Sequence, residues 1–217
     1  MTAIVEGLGE KVLPISEATR ARFMENGFLI LREVIPHSML NPLREQFETL
    51  VERQKVIWAK ERKPDDPPGG EWETSRFPSP EYQGLIDEHT AATAELCLHE
   101  NTRGVSRELM SAEEAAVHQM SLFCNPVSDH GPGEWHRDVK PQNVAPLAGL
   151  QADMTENAPA YLQWNIPLYD DSVFWVVPGS HRRPNTGGEN MQFQSDARAP
   201  MPESMPIELG AGDGVVY

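Results

Sequence analysis

The chain has 217 residues, 39% of them hydrophobic, which is enough for one well-formed core and gives no reason to expect a second domain. Its 33 acidic and 18 basic residues leave a net charge of -15, which repels phosphate backbones and anionic lipid, so neither nucleic acid nor membrane is an expected partner. No apolar run approaches the roughly 20 residues of a membrane span, and residues 1–11 lack the basic start and apolar stretch of a signal peptide; a soluble, cytoplasmic monomer or weak homodimer is expected.

Ser16 is placed to cap a short helix running to Asn26, and Gly27 supplies the left-handed residue that ends it ahead of the apolar strand Phe28-Leu29-Ile30-Leu31. After Pro36, the residues Leu40, Leu43, Phe47, Leu50, Val51, Ile57 and Trp58 recur near a 3.6-residue period, which predicts a long amphipathic helix with a solvated charged face. Residues 63–80 carry five prolines and the pair Gly69-Gly70, predicting an exposed loop. Tyr82, Leu85, Ile86, His89, Thr93, Leu96 and Cys97 restore helical spacing, with His89 read as a helix-face residue.

Beyond Ala115 the texture changes. Short apolar or alternating runs at 117–124, 135–139, 161–168 and 173–177, separated by Gly, Pro and Asn, predict strands of a sandwich or barrel. The expected fold class is α+β, one domain over 1–217 with a helical part over about 1–114 and a β-barrel over about 115–217. Cys97 and Cys124 lie in apolar surroundings without CxxC spacing and are read as buried, reduced thiols.

The segment Trp135-His136-Arg137-Asp138 concentrates the chemistry. Residues two apart on a strand share a face, so His136 and Asp138 can grip one metal ion, and an imidazole with a carboxylate suits Fe(II) better than a thiolate-rich site does. They make two thirds of a 2-His-1-carboxylate set, and the third ligand must come from elsewhere in the fold. The plainer alternative is that the two side chains only bond each other. Arg182, Arg183 and Lys140 are read as surface charge, the other option being charge-assisted bonds to an anionic substrate. His37, His99, His118 and His130 have no partner at ligand spacing and are assigned no role.

Several segments follow one another in order: Phe23-Met24-Glu25-Asn26-Gly27-Phe28-Leu29-Ile30-Leu31-Arg32 with Val34-Ile35-Pro36 and the long helix, then Trp135-His136-Arg137-Asp138, then Asn165-Ile166-Pro167-Leu168-Tyr169-Asp170-Asp171. The most specific is Val176-Val177-Pro178-Gly179-Ser180-His181. Together they resemble the phytanoyl-CoA dioxygenase family of Fe(II)/2-oxoglutarate-dependent oxygenases, and the resemblance runs over nearly the whole chain. It implies a double-stranded β-helix, a jelly-roll or cupin-like barrel with the N-terminal helices packed against it. It implies Fe(II) bound by His136 and Asp138 at the barrel mouth, with Arg137 pointing to the opposite face and Trp135 filling the barrel wall. Gln119, on the preceding strand, is implied as a polar contact to the co-substrate 2-oxoglutarate, or else as a strand glutamine bonding its neighbours. The implied activity is hydroxylation of a small organic substrate by dioxygen, with release of succinate and carbon dioxide.

The resemblance also places His181 on a loop and not at the metal. It puts a second iron-binding histidine on a strand that follows a Gly-Asp-x-Val turn, with an arginine beyond it for the co-substrate carboxylate. The sequence reaches that turn at Gly212-Asp213-Gly214-Val215 and stops at Tyr217, so an incomplete C-terminus is expected, with the last strands missing and the catalytic iron site unfinished within 1–217. An unfinished apolar strand at 215–217 is expected to expose sheet edges, the rival reading being that it docks as the last strand of the sheet. Two other functions fit the same residues: a non-catalytic barrel that binds a small molecule, and a zinc hydrolase or isomerase using His136, Asp138 and His181. No motif encodes the substrate, and residues 63–80 and 182–190 are expected to shape that choice as loops over the site.

Overall fold

The computed structural model describes residues 5–7, 14–61, 63–65, 84, 86–123, 131–138 and 146–217. Along the chain run β1 (Val5–Gly7), α1 (Glu17–Asn26), β2 (Leu29–Arg32), α2 (His37–Glu61) and α3 (Ala91–Leu98). A π-helical turn (Glu100–Gly104) leads into α4 (Val105–Met110), followed by α5 (Leu147–Asn157), β3 (Trp164–Asn165) and β4 (Asp171–Val176). A 3₁₀ turn (Ser180–Arg182), α6 (Gly187–Ser195), β5 (Met205–Leu209) and β6 (Gly214–Val216) complete the order. The chain divides into two compact units, one comprising 1–37, 100–115 and 132–217, the other 38–99 and 116–131.

In the first unit α1 starts and stops as its sequence predicts. Ser16 Oγ accepts from the Thr19 N–H at 3.1 Å, and the N–H of Gly27, at φ 81°, donates to Phe23 O at 2.7 Å. One sheet follows the order β1-β2-β6-β3, with β6 antiparallel to both of its neighbours. Side chains alternate across it. Leu29, Leu31 and Val216 face a core shared with Phe23, Val34, Val105 and Leu109, while Ile30 and Val215 face another shared with Phe28, Ile207 and Leu209. The second core lies between this sheet and the antiparallel pair β4–β5, whose Phe174, Val176 and Met205 pack into it. Burial on both faces is why the runs at 28–31 and 215–217 are continuously apolar and do not alternate. Each leucine removed completely from water contributes roughly 1.5–3 kcal/mol.

The expected open edge at β6 is not found. Val215 and Val216 are fully buried between β2 and β3, because the N-terminal part supplies the missing neighbour. Asp213 secures the turn before β6: its carboxylate accepts from the N–H of Gly210 at 2.7 Å and of Glu33 at 3.0 Å, and pairs with Arg32. Among the described residues the strands form these two sheets and close no barrel.

The strands expected at 117–124 and 135–139 are absent over the described residues 114–123 and 131–138, which are irregular. Alternation makes a strand only where a neighbour pairs its backbone, and among the described residues neither segment has a strand alongside. The run at 161–168 contracts to β3, prolonged by the reciprocal backbone bonds of Gln163 and Tyr217 at 2.8 and 3.0 Å. The segment read as a loop at 182–190 instead starts α6, whose capping box joins Thr186 and Glu189.

In the second unit α2 spans the predicted long helix and buries Leu43, Leu50 and Val51. The following helix is shorter than its periodicity predicts. Asp87 accepts from the His89 N–H at 2.9 Å and from Thr90 Oγ1 at 3.2 Å, and pairs with Arg53, so a turn competes with the helix until Ala91. Cys97 is half-buried, its thiol near Thr93 O and Met120 Sδ. Residues 66–80 of the proline-rich stretch, with Tyr82, Leu85, Cys124, His130, Val139 and Lys140, lie outside the described residues. Among the described residues no helix is long and apolar enough to cross a membrane.

Candidate metal centre

The segment 131–138 does by side-chain anchoring what a strand ladder was expected to do. Trp135 donates its backbone N–H to Ala197 O at 2.9 Å and its indole Nε1–H to Ala199 O at 3.0 Å. Arg137 donates from Nε and Nη2 to Asn185 Oδ1, at 3.2 and 2.6 Å, and from Nη1 to Ser180 O. With the odd-numbered pair held, His136 and Asp138 meet each other, Nε2 to Oδ2 at 3.3 Å. Their shared side, expected from a strand, is therefore reached without one.

The hydrogen bonding of His136 decides which nitrogen is available. Nδ1 lies 2.9 Å from Glu134 O. A carbonyl can only accept, so Nδ1 carries the proton and Nε2 is the nitrogen turned to Asp138. An unprotonated Nε2 at 3.3 Å from a carboxylate oxygen sets two acceptors face to face, an arrangement completed by a positive charge, whether proton or metal ion. Two donors on adjacent positions of one ion, each about 2.1 Å from it, stand about 3 Å apart, close to the separation found here. A ligating histidine also ordinarily donates its other N–H to a carbonyl or carboxylate, the part Glu134 plays. The residues present fit a metal ion with an imidazole and a carboxylate ligand. The site is open, the His136 side chain being 70% and that of Asp138 33% exposed, so the ion pair by itself contributes little.

Behind Asp138 the surroundings change to phenols. Burial raises the pKa of Tyr161, and the Asp138 charge raises it further. Tyr217 is raised more strongly, first by burial, then by Asp138 and Tyr161. Both therefore remain neutral hydrogen-bond donors at physiological pH. Tyr217 lies on the face of the sheet that meets the second core, its ring 4.8 Å from that of Phe174 and its hydroxyl 3.5 Å from Gln163 Oε1. Sequence patterns single out neither tyrosine, since both read as ordinary strand aromatics.

The other expected residues have partners of their own. Gln119 belongs to the other compact unit, is exposed, and donates to Ser121 Oγ at 3.3 Å. His181 donates from Nε2 to Met24 O at 3.0 Å, its ring lying where a side chain on Gly27 would be. Burial lowers its pKa, the Met24 bond opposing, and the charges of Arg182 and Arg137 lower it further. Arg183 is committed to both oxygens of the buried Glu189, at 2.8 and 2.7 Å. Among the described residues no three His, Cys, Asp or Glu side chains stand together as a metal set.

In comparisons with known proteins, no protein-family model and no curated protein sequence matches this chain.

Proposed function

We propose that this chain carries the fold of a cytoplasmic Fe(II)/2-oxoglutarate-dependent dioxygenase, similar to the phytanoyl-CoA dioxygenase family, that hydroxylates a small organic substrate. The observation that carries the reading is the His136–Asp138 geometry, with Nδ1 bonded to Glu134 O and Nε2 turned to the carboxylate. In this reading the two sheets facing across the second core are parts of a jelly roll, and the metal pair stands at its mouth.

Bound Fe(II) with 2-oxoglutarate supplies oxidation of a substrate C–H bond by dioxygen, yielding the hydroxylated product, succinate and carbon dioxide. The protein's own contributions are separate from that chemistry. His136 offers Nε2 and Asp138 a carboxylate oxygen as iron ligands, and Glu134 O keeps the proton on Nδ1. Tyr161 and Tyr217, kept neutral, add no negative charge near Asp138, and the apolar side chains around Phe174 and Val176 exclude water on one side. The zinc alternative needs His181 at the same ion; its bond to Met24 O and its place against Gly27 weigh against that use.

Anaerobic addition of Fe(II) and 2-oxoglutarate is expected to produce the visible charge-transfer absorption of a 2-oxo acid chelated to ferrous iron. Asp138→Ala is expected to abolish it. Equal absorption in the variant would overturn the assignment.

A further inference from the structure

The two residues flanking His136 share a task that no sequence motif assigns to them. Metal ligands must be held in place before the ion arrives, because an ion that has to order its own ligands binds more weakly. In a paired strand the ladder does this; 131–138 has none. Trp135 fixes one side of His136 through Ala197 and Ala199. Arg137, the only residue between the two ligands, fixes the other with a three-bond guanidinium fork onto Asn185 and Ser180.

The platform that receives the fork is itself secured. Gly179 N–H donates to Asn26 O at 2.8 Å, and His181 donates to Met24 O, tying it to the end of α1. Gln151 of α5 donates to Arg183 O at 2.6 Å. Glu189 holds Arg183 and the N–H of Thr186, the latter at 2.7 Å, which fixes the chain on both sides of Asn185. Each bond removes a freedom of the loop that Arg137 grips.

We propose that Arg137 is the positioning residue of the metal centre, and that its fork onto Asn185 and Ser180 sets the spacing of His136 and Asp138 for a divalent cation. The inference rests on the metal reading given above and adds to it the residue between the two ligands, whose guanidinium is held by Asn185 and Ser180. Lysine at 137 keeps the charge but cannot make a planar fork to one acceptor and a carbonyl together, so charge and geometry are separable.

The test is titration of the full ¹⁵N-labelled chain with Mn(II) alone, following paramagnetic broadening of the 136 and 138 signals. Broadening centred on these residues is expected in the unaltered chain. Arg137→Lys and Asn185→Ala are each expected to raise the midpoint by about 10- to 100-fold, and the double variant no further than the larger single effect, since both remove one interaction. Trp164→Phe, which removes an indole bond to Ser106 in the other core, controls for general loosening and is expected to leave the midpoint unchanged. A midpoint for Arg137→Lys within about twofold of the unaltered chain, with Asp138→Ala abolishing binding, overturns the positioning role and leaves the metal reading standing. Absence of site-centred broadening in the unaltered chain overturns both. If Arg137→Lys does not fold, Asn185→Ala carries the same decision alone.

Discussion

Gly27 ends α1 at φ 81°, and its missing side chain makes room for His181: a Cβ there would stand 2.2 Å from the imidazole Nδ1. Gly27→Ala therefore meets both a left-handed backbone and a clash, and is expected to lower stability by at least about 2 kcal/mol, read from the urea midpoint at unchanged slope. A change below about 0.5 kcal/mol would contradict the contact. Glu189 makes a second prediction. The Arg183 bonds, opposed by burial and reinforced by the Thr186 N–H, hold its carboxyl down from 4.5 to about 2. A depressed carboxyl stabilises the folded chain above its unfolded pKa and loses that contribution as pH falls, here between 4.5 and about 2, amounting to about 3 kcal/mol. Glu189→Gln should flatten the stability profile across that window; an unchanged profile would remove Glu189 as the cause. His136 and Asp138 could be picked out of the sequence because metal chemistry restricts residue type and spacing. Tyr161 and Tyr217 could not, because their importance comes from partners distant along the chain.

Elements whose signals are local were legible: the capped α1, the apolar β2, the long period of α2, and β4. The strand expected through His136 was not, since pairing depends on a neighbour that the local pattern does not describe, and anchoring by Trp135 and Arg137 leaves no periodic trace. The capping box of α6 is visible in the sequence as Thr186 and Glu189, threonine followed three residues later by glutamate being itself a helix-start signal, so the segment expected as a loop begins a helix. The central position of β6 followed from a pairing with β2, far away in sequence. Two substitutions measure how much the two-faced sheet matters. Leu31→Ala, at a fully buried site, is expected to cost about 3 kcal/mol, whereas Val173→Ala on β4, 82% exposed, should stay within about 0.5 kcal/mol. Equal effects in chemical denaturation would contradict the assigned burial.

At the scale of the molecule, a charge of -15 acts as mutual repulsion that the folded chain must bear. Screening relieves it, so moderate sodium chloride is expected to raise the melting temperature, and a fall would show that attractive pairs such as Arg183–Glu189 outweigh the repulsion. The same field draws divalent cations to the surface in general, so a metal claim must be tied to particular residues. The most direct measurement is anaerobic equilibrium dialysis of Fe(II) against the unaltered chain and Asp138→Ala in parallel, at an ionic strength that screens diffuse binding. One equivalent of iron retained by the unaltered chain and lost with Asp138 is the predicted result; equal retention by both, or none by either, contradicts a metal centre at His136 and Asp138.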